Sequence, residues 1–403
     1  MPGAAGGLSV PVIPSELRQR RFAFLINSPE NVGHSNGIRV LLDAVQMARS
    51  LGLDVCIVPA HTSTPLYRKL PNPYSELPIR WDVPTGCCAL LGDTLSADRL
   101  QEARARAEQI CHYSLAPNCL FQGDDGNRLL LMPGERQAVY SPQISTRLPA
   151  FYLQSRFEEL EPYIQANLAR RQRIRKPHAT RHFTACIYAG KGYVAPLDPQ
   201  IRQRISRRRS QLITRLWPTS KQALYQQLAQ ADLLVSFNPI SSMAYEASLL
   251  GIPTLIASSW DEPHFQQNFP VRLDGVVWND RQAFLQLLQT GFDQQAVVSS
   301  YRDAINRNQQ TTMELLSFAS GHQQPQDCSA VELNNYWQSR QPFFAQLNLP
   351  SPSSAWGPLS VALPPQTHLD RLHDFSLNTI RRILQRCRRI DHRLRAAVQR
   401  LRA

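Results

Sequence analysis

A lone carboxylate stands inside the apolar stretch SFNPISSMAYEASLLGIPT, which covers residues 236–254. Glu246 follows two hydroxyl residues, Ser241 and Ser242, by four or five positions. The apolar run DLLVSF is typical of a buried parallel strand, and the two serines stand where the next helix would begin. A helix N-terminus offers free N–H groups and a positive dipole to a phosphate, and a carboxylate one turn later can accept hydrogen bonds from a ribose diol. The three residues therefore predict a nucleotide site.

The same residues also fit simpler structural roles. Serines at the start of a helix commonly accept hydrogen bonds from the first free N–H groups. A glutamate on a helix commonly pairs with a nearby cation. The spacing of Ser241, Ser242 and Glu246 leaves the functional and the structural interpretation open.

Two series of alternating strands and helices would position this stretch. In the first series, the strands RFAFLIN (21–27) and DVCIVPA (54–60) enclose a glycine-containing loop and a helix, which together predict a parallel βαβ unit. A third strand, CCALLGD (87–93), precedes a predicted helix over 94–111. The second series comprises the strands FTACIYAG, QLITRL, DLLVSF and TLIAS with helices between them, followed by helices near 280–292 and 294–317. The fold class is therefore α/β, with two Rossmann-like doubly wound domains that face a cleft, and C-terminal helices.

Composition shifts divide the chain into four parts. Residues 1–20 are predicted to be a flexible tail, 21–160 an N-terminal Rossmann-like domain and 161–325 a C-terminal Rossmann-like domain. Residues 326–403 are predicted to be C-terminal helices. Their last segment, 372–402, is a basic amphipathic helix with an apolar stripe. It fits either an acidic membrane surface or packing against the protein.

Bulk composition narrows the functional classes. The 403 residues carry a formal charge of +13 and are 43% hydrophobic, which indicates folded domains and an anionic partner. Eight cysteines form no paired CxxC, so a zinc knuckle or disulfide framework is not indicated. No apolar run of about 18 residues and no secretory signal pattern are present, which favours the cytoplasm, with the inner membrane face as a peripheral site. Nucleic acid is not expected as a partner, because no recognition motif accompanies the basic charge.

The segment ADLLVSFNPISSMAYEASLLGIPTLIAS resembles the donor-binding segment of GT-B glycosyltransferases. The likeness lies in a strand, a small-residue loop, a helix that carries Glu-Ala, and a Gly-x-Pro turn before another strand. It implies that Glu246 holds the nucleotide ribose and that Ser241 and Ser242 face the diphosphate. The match covers about thirty residues well, and the two-domain layout extends it loosely over residues 21–320. The resemblance implies that 21–160 is the acceptor domain, that 161–325 is the nucleotide-sugar donor domain, and that helices of 326–403 cross back to the first domain.

Two further loops occur in the order that this resemblance implies. Gly33-His34-Ser35-Asn36-Gly37 is placed like the family's first glycine loop, which borders the donor phosphate and the acceptor. Tyr188–Val194 (YAGKGYV) is similar to the lysine-containing loop that meets the diphosphate. The resemblance therefore implies that Gly33, Gly37, Gly190 and Lys191 also bind the nucleotide-sugar.

Departures from family patterns limit the mechanism. Asn238 stands eight positions before Glu246, where retaining members have a second glutamate, so the stereochemistry is left open. The metal-binding DxD loop of the GT-A class, a P-loop and GxGxxG after the first strand are all absent. No metal and no cofactor are expected, and the nucleotide-sugar is a donor substrate.

Transfer with inversion requires a base that removes the proton of the acceptor hydroxyl. His34 lies in the first glycine loop and titrates near neutral pH, although an exposed loop histidine explains it equally. Asp93, at the end of the third strand, is the second candidate base. His112 and Asp124 are weaker candidates for the base. Thr219 and Ser220 could cap a helix near the nucleotide base, and capping alone is the simpler interpretation. Four residues after the strand TLIAS could border the sugar pocket: Trp260, Asp261, Glu262 and His264.

The sequence therefore predicts a hexosyltransferase-type glycosyltransferase that uses a nucleotide-sugar and no metal. Its acceptor would be a glycan or a lipid-linked hydroxyl in the synthesis of a surface or capsular polysaccharide. The alternatives are a sugar-nucleotide epimerase or hydrolase of the same architecture, and a non-enzymatic basic protein that binds an anionic polymer.

Overall fold

The structure is a computed structural model that describes most of the chain between residues 13 and 346. The described residues are 13–27, 29, 35–61, 70–92, 95–115, 130–173, 183–190, 198–205, 210–214, 218, 220–238, 241–257, 268–322 and 328–346. Part of the predictions falls outside them. This holds for the basic helix over 372–402 and for the candidate residues Gly33, His34, Asp93, Asp124, Lys191, Thr219, Trp260, Asp261, Glu262 and His264.

In the described part of the chain, ten strands form two five-stranded sheets, and each strand runs parallel to its neighbours. The first sheet contains β1 (Arg21–Ile26), β2 (Asp54–Pro59), β3 (Cys88–Leu91), β4 (Gln109–Ser114) and β5 (Arg136–Val139). The second sheet contains β6 (Ala185–Gly190), β7 (Gln211–Thr214), β8 (Leu233–Ser236), β9 (Thr254–Ile256) and β10 (Val276–Trp278). We call each sheet with its helices a lobe.

The two sheets share one strand order. It is β2-β1-β3-β4-β5 in the first and, read in the same direction, β7-β6-β8-β9-β10 in the second. In this doubly wound order, the chain runs from β1 to one side of the sheet and from β3 to the other side. The same holds for β6 and β8 in the second sheet, so each neighbouring pair marks the switch point of its sheet. A crevice opens beyond the carboxyl ends of the strands at such a switch point, and ligands bind there in open α/β sheets.

The strands are short apolar runs because both faces of each sheet are covered. In β1, Phe22 and Phe24 belong to one core cluster and Ala23 and Leu25 to another, so alternate side chains fill the two faces. β8 shows the same alternation between Leu234 and its neighbours. This pattern fixes the register, because a slip by one residue would exchange the faces.

Ten helices accompany the strands in the described part of the chain. In order they are α1 (Ser15–Arg18), α2 (Asn36–Ser50), α3 (Ala97–Arg106), α4 (Glu161–Arg173), α5 (Pro199–Arg204), α6 (Lys221–Gln230), α7 (Ser242–Leu249), α8 (Arg281–Thr290), α9 (Gln294–Ala319) and α10 (Ala330–Gln346). None of these helices is long and apolar enough to span a bilayer.

The chain joins the lobes through residues 151–160 and again through α9. Val297 and Tyr301, early in α9, pack in the second core, whereas Leu315 and Phe318, near its end, pack in the first. Between them, buried Asn308 accepts from the N–H of Gln154 at 2.8 Å and donates to its carbonyl at 2.7 Å. This pair of hydrogen bonds ties the two connections together.

The last described helix packs on the first lobe. Leu333 and Trp337 of α10 form a cluster with Leu131, Val139 and other buried side chains. The indole N–H of Trp337 donates to the side-chain oxygen of Gln137 at 3.1 Å.

Two doubly wound parallel sheets with flanking helices confirm the predicted fold class. The helix predicted over 94–111 was too long, because α3 ends at Arg106 and β4 begins at Gln109. Ile110 and Cys111 are buried in β4, paired to β3, so a strand replaces the predicted last turn of helix. The four domain limits stay predictions. Leu17, within the segment predicted as a tail, is fully buried against the first core.

Candidate functional site

The start of α7 lies beyond the carboxyl end of β8, at the switch point of the second sheet. Ser241 is the N-cap, and its hydroxyl accepts from the N–H of Met243 at 3.1 Å. Helix α7 begins here because Ser241 has the extended backbone of an N-cap, and its side chain satisfies one of the free N–H groups of the first turn. Ser242 is the first residue of the helix, so the two serines have different tasks.

Glu246 lies one turn further along α7 and is fully buried. Three donors converge on its Oε1: the side-chain amide of Asn36 at 2.9 Å, the hydroxyl of Ser242 at 3.0 Å and the ammonium of Lys221 at 3.4 Å. The amide of Asn36 also donates to the hydroxyl of Ser242. Since Asn36 starts α2 beyond β1, these bonds bring the switch points of the two sheets together.

The second oxygen of the carboxylate, Oε2, is buried without a hydrogen-bond partner among the described residues. Asn36 Oδ1 and the hydroxyl of Tyr225 are also buried and also have no hydrogen-bond partner among the described residues. Each such group costs about 1–3 kcal/mol, and native structures leave few of them. Buried polar atoms of this kind are expected where a ligand or an ordered water supplies the missing partner.

Lys221 and Tyr225 form the wall of the site on the side of α6. The Lys221 ammonium lies 5.5 Å from the centre of the Tyr225 ring and beside the Glu246 carboxylate. Burial, followed by the charge of Glu246, raises the pKa of Tyr225 well above its usual value. Tyr225 is therefore a neutral hydroxyl at physiological pH, and Lys221 supplies the positive charge next to Glu246.

The first lobe fixes its own side of the site through the beginning of α2. Ser35 is the N-cap and accepts from the N–H of Ile38 at 3.3 Å, which sets where Asn36 lies. Arg39, one turn later, donates to both carboxylate oxygens of Glu159 at 3.2 Å and to the carbonyl of Arg156 at 3.1 Å. Arg39 thereby anchors α2 to the connection between the lobes.

The predicted residues that the structure describes fall into one region. Ser241, Ser242 and Glu246 lie together, and Gly37 follows Asn36 directly. A Cβ on Gly37 would approach Leu115 to 3.2 Å, which favours glycine there. Gly190 ends β6, the strand next to β8, on the edge of the sheet where α7 begins. The assignment of these residues to ligand binding stays a prediction.

Two of the weaker candidates have structural partners. His112 is buried in β4 and lies 3.0 Å from the carboxylate of Glu135. Ser220 caps α6 by accepting from the N–H of Ala223 at 3.2 Å, as the simpler interpretation predicted.

Sequence reasoning missed Asn36, Lys221 and Tyr225 as members of the site. Asn36 lies inside the glycine loop that was singled out, and Lys221 follows the expected helix cap at Ser220. Each is the first residue of the helix that follows a strand of a parallel sheet, which is the signal that could have found them. Tyr225 lies one turn after Lys221, on a helix, and had no comparable signal.

Comparisons with known proteins add little to this geometry. No family model and no curated protein matches the chain. Among solved structures, the chain is similar to the crystal structure of AviGT4, a glycosyltransferase involved in avilamycin A biosynthesis, with a TM-score of 0.40 and 11% identity. The likeness covers 75% of this chain and 98% of that one. A likeness of this size carries no argument about activity.

Proposed function

We propose that this protein is a metal-independent glycosyltransferase of GT-B architecture that uses a nucleotide-sugar donor. The observation that carries the proposal is the Glu246 carboxylate, which is buried where the two switch points meet and keeps one oxygen without a partner. A carboxylate costs much free energy to bury unless hydrogen bonds satisfy it. A ribose hydroxyl that donates to Oε2 would provide the missing bond.

The remaining parts of the site are proposed to hold the diphosphate and to assist its departure. The N-terminus of α7, with Ser241 and Ser242, offers N–H groups, hydroxyls and a positive dipole. Gly190 and Lys191 are proposed to approach the phosphates from the loop after β6. Positive groups in such positions offset the charge that develops on the leaving diphosphate, which lowers the barrier without a metal.

The reaction is proposed as an attack of an acceptor hydroxyl on the anomeric carbon of the donor sugar. The new bond joins the acceptor oxygen to that carbon, and the bond from the carbon to the phosphate oxygen breaks with its electron pair. His34 or Asp93 is proposed to take the hydroxyl proton. The acceptor is proposed to be a glycan or a lipid-linked hydroxyl in the synthesis of a surface or capsular polysaccharide.

The formal charge of +13 supports an acidic partner beyond the nucleotide itself. We assign this partner to the acidic membrane surface that carries a lipid-linked acceptor, with the protein on the cytoplasmic side. The basic segment 372–402 is proposed to make that contact.

A thermal-shift screen with UDP, GDP, CMP and ADP tests the proposal. A ligand that binds only the folded protein raises its melting temperature by mass action. We expect at least one nucleotide to raise it for the wild type and for Glu161→Gln, and to leave Glu246→Gln unchanged. Glu161 is a matched control because it lies in the same lobe and makes only a half-exposed ion pair with Arg302.

Three outcomes would contradict parts of the proposal. If no nucleotide shifts the wild type, the nucleotide site is wrong. If the shift persists in Glu246→Gln, the role of this carboxylate is wrong. If the nucleotide binds as expected but labelled donor yields only epimer or free sugar in the presence of acceptors, the site is right and transfer is wrong.

A further inference from the structure

The side-chain amide of Asn36 has a fixed orientation at the junction of the lobes. Its Nδ2 lies 2.9 Å from Glu246 Oε1 and also donates to Ser242. An amide oxygen in that position would face a carboxylate oxygen without a proton between them, so the NH₂ group must point to Glu246. The amide oxygen, Oδ1, therefore points away from this bond.

Asn36 Oδ1 and Glu246 Oε2 form a pair of unused acceptors. Both atoms are buried and lack a donor among the described residues, and one hydrogen bond links the side chains that carry them. They come from different lobes, at residues 210 positions apart in the chain. Neither atom can donate, so the group that satisfies them must bring two hydrogens. A vicinal diol does so, whereas a phosphate, which is an acceptor, does not.

We propose that Asn36 is a second ligand-binding residue, whose Oδ1 accepts from one hydroxyl of the ribose diol while Glu246 Oε2 accepts from the other. The inference rests on the proposed function, because that function supplies a nucleotide ribose at Glu246. It adds that the first lobe binds the ribose as well as the second. The bound nucleotide then links the lobes directly, and Asn36 and Glu246 each discriminate against the loss of one ribose hydroxyl.

The discrimination follows from what a missing hydroxyl would leave behind. A site built to hydrogen-bond a hydroxyl rejects the analogue that lacks it, because the buried polar group of the protein then stays unpaired. Loss of either ribose hydroxyl should therefore weaken binding, and each loss should depend on a different protein residue.

The test is a set of calorimetric dissociation constants for whichever of UDP, GDP or ADP gives the largest thermal shift, and for its 2′-deoxy and 3′-deoxy forms. The proteins are the wild type, Asn36→Ala, Asn36→Ser and Asn334→Ala. Asn334→Ala is the matched control. Asn334 lies on α10, away from the site, and its side-chain amide makes hydrogen bonds with the backbone of Leu131. Asn36→Ser keeps a small side chain with an acceptor, and melting curves verify that each variant folds.

We expect Asn36→Ala to weaken the ribonucleotide about tenfold, as the loss of one buried hydrogen bond should. Against one of the two deoxy forms, the one that lacks the hydroxyl bound by Asn36, the same variant should lose less than about twofold. Asn36→Ser should lie between the wild type and Asn36→Ala, and Asn334→Ala should match the wild type.

Two results would overturn the inference, and they are distinguishable from failure of the proposed function. If Asn36→Ala weakens the ribonucleotide and both deoxy forms equally, Asn36 only joins the lobes. If it weakens none of them, Asn36 has no part in binding. In both cases the wild type still binds and Glu246→Gln does not, so the proposed function stands. If the wild type binds none of the nucleotides, the proposed function and the inference fall together.

Discussion

One glutamate side chain in each lobe is almost completely buried, that of Glu135 just before β5 and that of Glu246 one turn into α7, and the two carboxylates are satisfied very differently. In the first lobe, Glu135 accepts from Arg104 on both oxygens, at 2.6 and 3.0 Å, and from the N–H of Met132 at 3.0 Å. His112 lies 3.0 Å from the same carboxylate. In the second lobe, Glu246 has three donors on Oε1 and none on Oε2 within the described part of the chain.

The comparison separates a carboxylate whose two oxygens both have partners from one with an unpartnered oxygen, for which we propose a ligand as the missing donor. Burial by itself would raise the pKa of Glu135, but the hydrogen bonds from His112 and Arg104 outweigh it and lower the pKa to about 2. A carboxylate of this kind, paired on both oxygens and charged at neutral pH, fixes β4 against the segment before β5. Oε2 of Glu246 has no hydrogen-bond partner among the described residues, and this carboxylate lies where the starts of α2 and α7 meet.

Of the variants that test this difference, Glu135→Ala should lose the most unfolding free energy. The substitution leaves Arg104 without its carboxylate and removes the acceptor beside buried His112. Breaking a buried pair by removing one partner costs about 3 kcal/mol of unfolding free energy. Denaturant unfolding measures it, with Glu161→Ala as the control, for which a half-exposed ion pair predicts less than about 0.5 kcal/mol. If both variants lost equally little unfolding free energy, Glu135 would not be a residue that stabilises the fold, and the difference between the two carboxylates would disappear.

Acid should affect the protein through Glu135. The pKa of this group is about 2 in the folded state and lies below its ordinary value of 4.5. The stabilisation is therefore fully present above pH 4.5 and is lost as the pH falls towards 2. We expect the unfolding free energy of the wild type to fall more steeply over this range than that of Glu135→Gln. Parallel curves for the two proteins would show that Glu135 is not held charged.

Asp43 gives a case of the opposite sign in the first lobe. Its Oδ1 accepts from the hydroxyl of Tyr74 at 2.6 Å, whereas Oδ2 is buried without a partner among the described residues. Burial raises the pKa of Asp43 to about 6, so its contribution to stability is present below pH 3.8 and is lost as the pH rises through 6. Asp43→Asn should therefore stabilise the protein at pH 7.5, by about 2 kcal/mol, and much less at pH 4. A destabilised variant at pH 7.5 would contradict this.

The smallest stability effect is expected for Glu246→Gln without ligand. The variant keeps an acceptor for Ser242, loses the ion pair with Lys221, and no longer buries an unsatisfied charge. Binding sites commonly hold groups that do not favour the fold, so the unfolding free energy should change by less than about 1 kcal/mol. A loss as large as that of Glu135→Ala would make Glu246 a structural residue and remove the distinction.

The sequence was sufficient for β1 to β3, for β6 to β9 and for the place of Ser241, Ser242 and Glu246, whereas β4, β5 and β10 were not predicted as strands. Apolar runs, helical spacing and glycine stops are local signals, and they predict local structure. The end of α3 was missed because Gln109–Ser114 (QICHYS) follows the helix after only two residues and carries no glycine or proline to mark the break.

The partners of Glu246 could not be predicted in the same way. Lys221 and Asn36 lie 25 and 210 positions away from it in the chain. Their approach depends on the strand order of both sheets and on how the two connections join the lobes, neither of which is written in a local pattern. Which carboxylate oxygen stays free likewise follows only from the three-dimensional arrangement.

The most direct test of the central claim compares a nucleoside diphosphate with its 2′,3′-dideoxy form by calorimetry, on the wild type and on Glu246→Gln. If Glu246 Oε2 accepts from the ribose, the wild type binds the ribonucleotide at least about tenfold more tightly, and Glu246→Gln removes most of that preference. Equal affinity of the wild type for both nucleotides would contradict the account, because the buried carboxylate would then not bind the ribose.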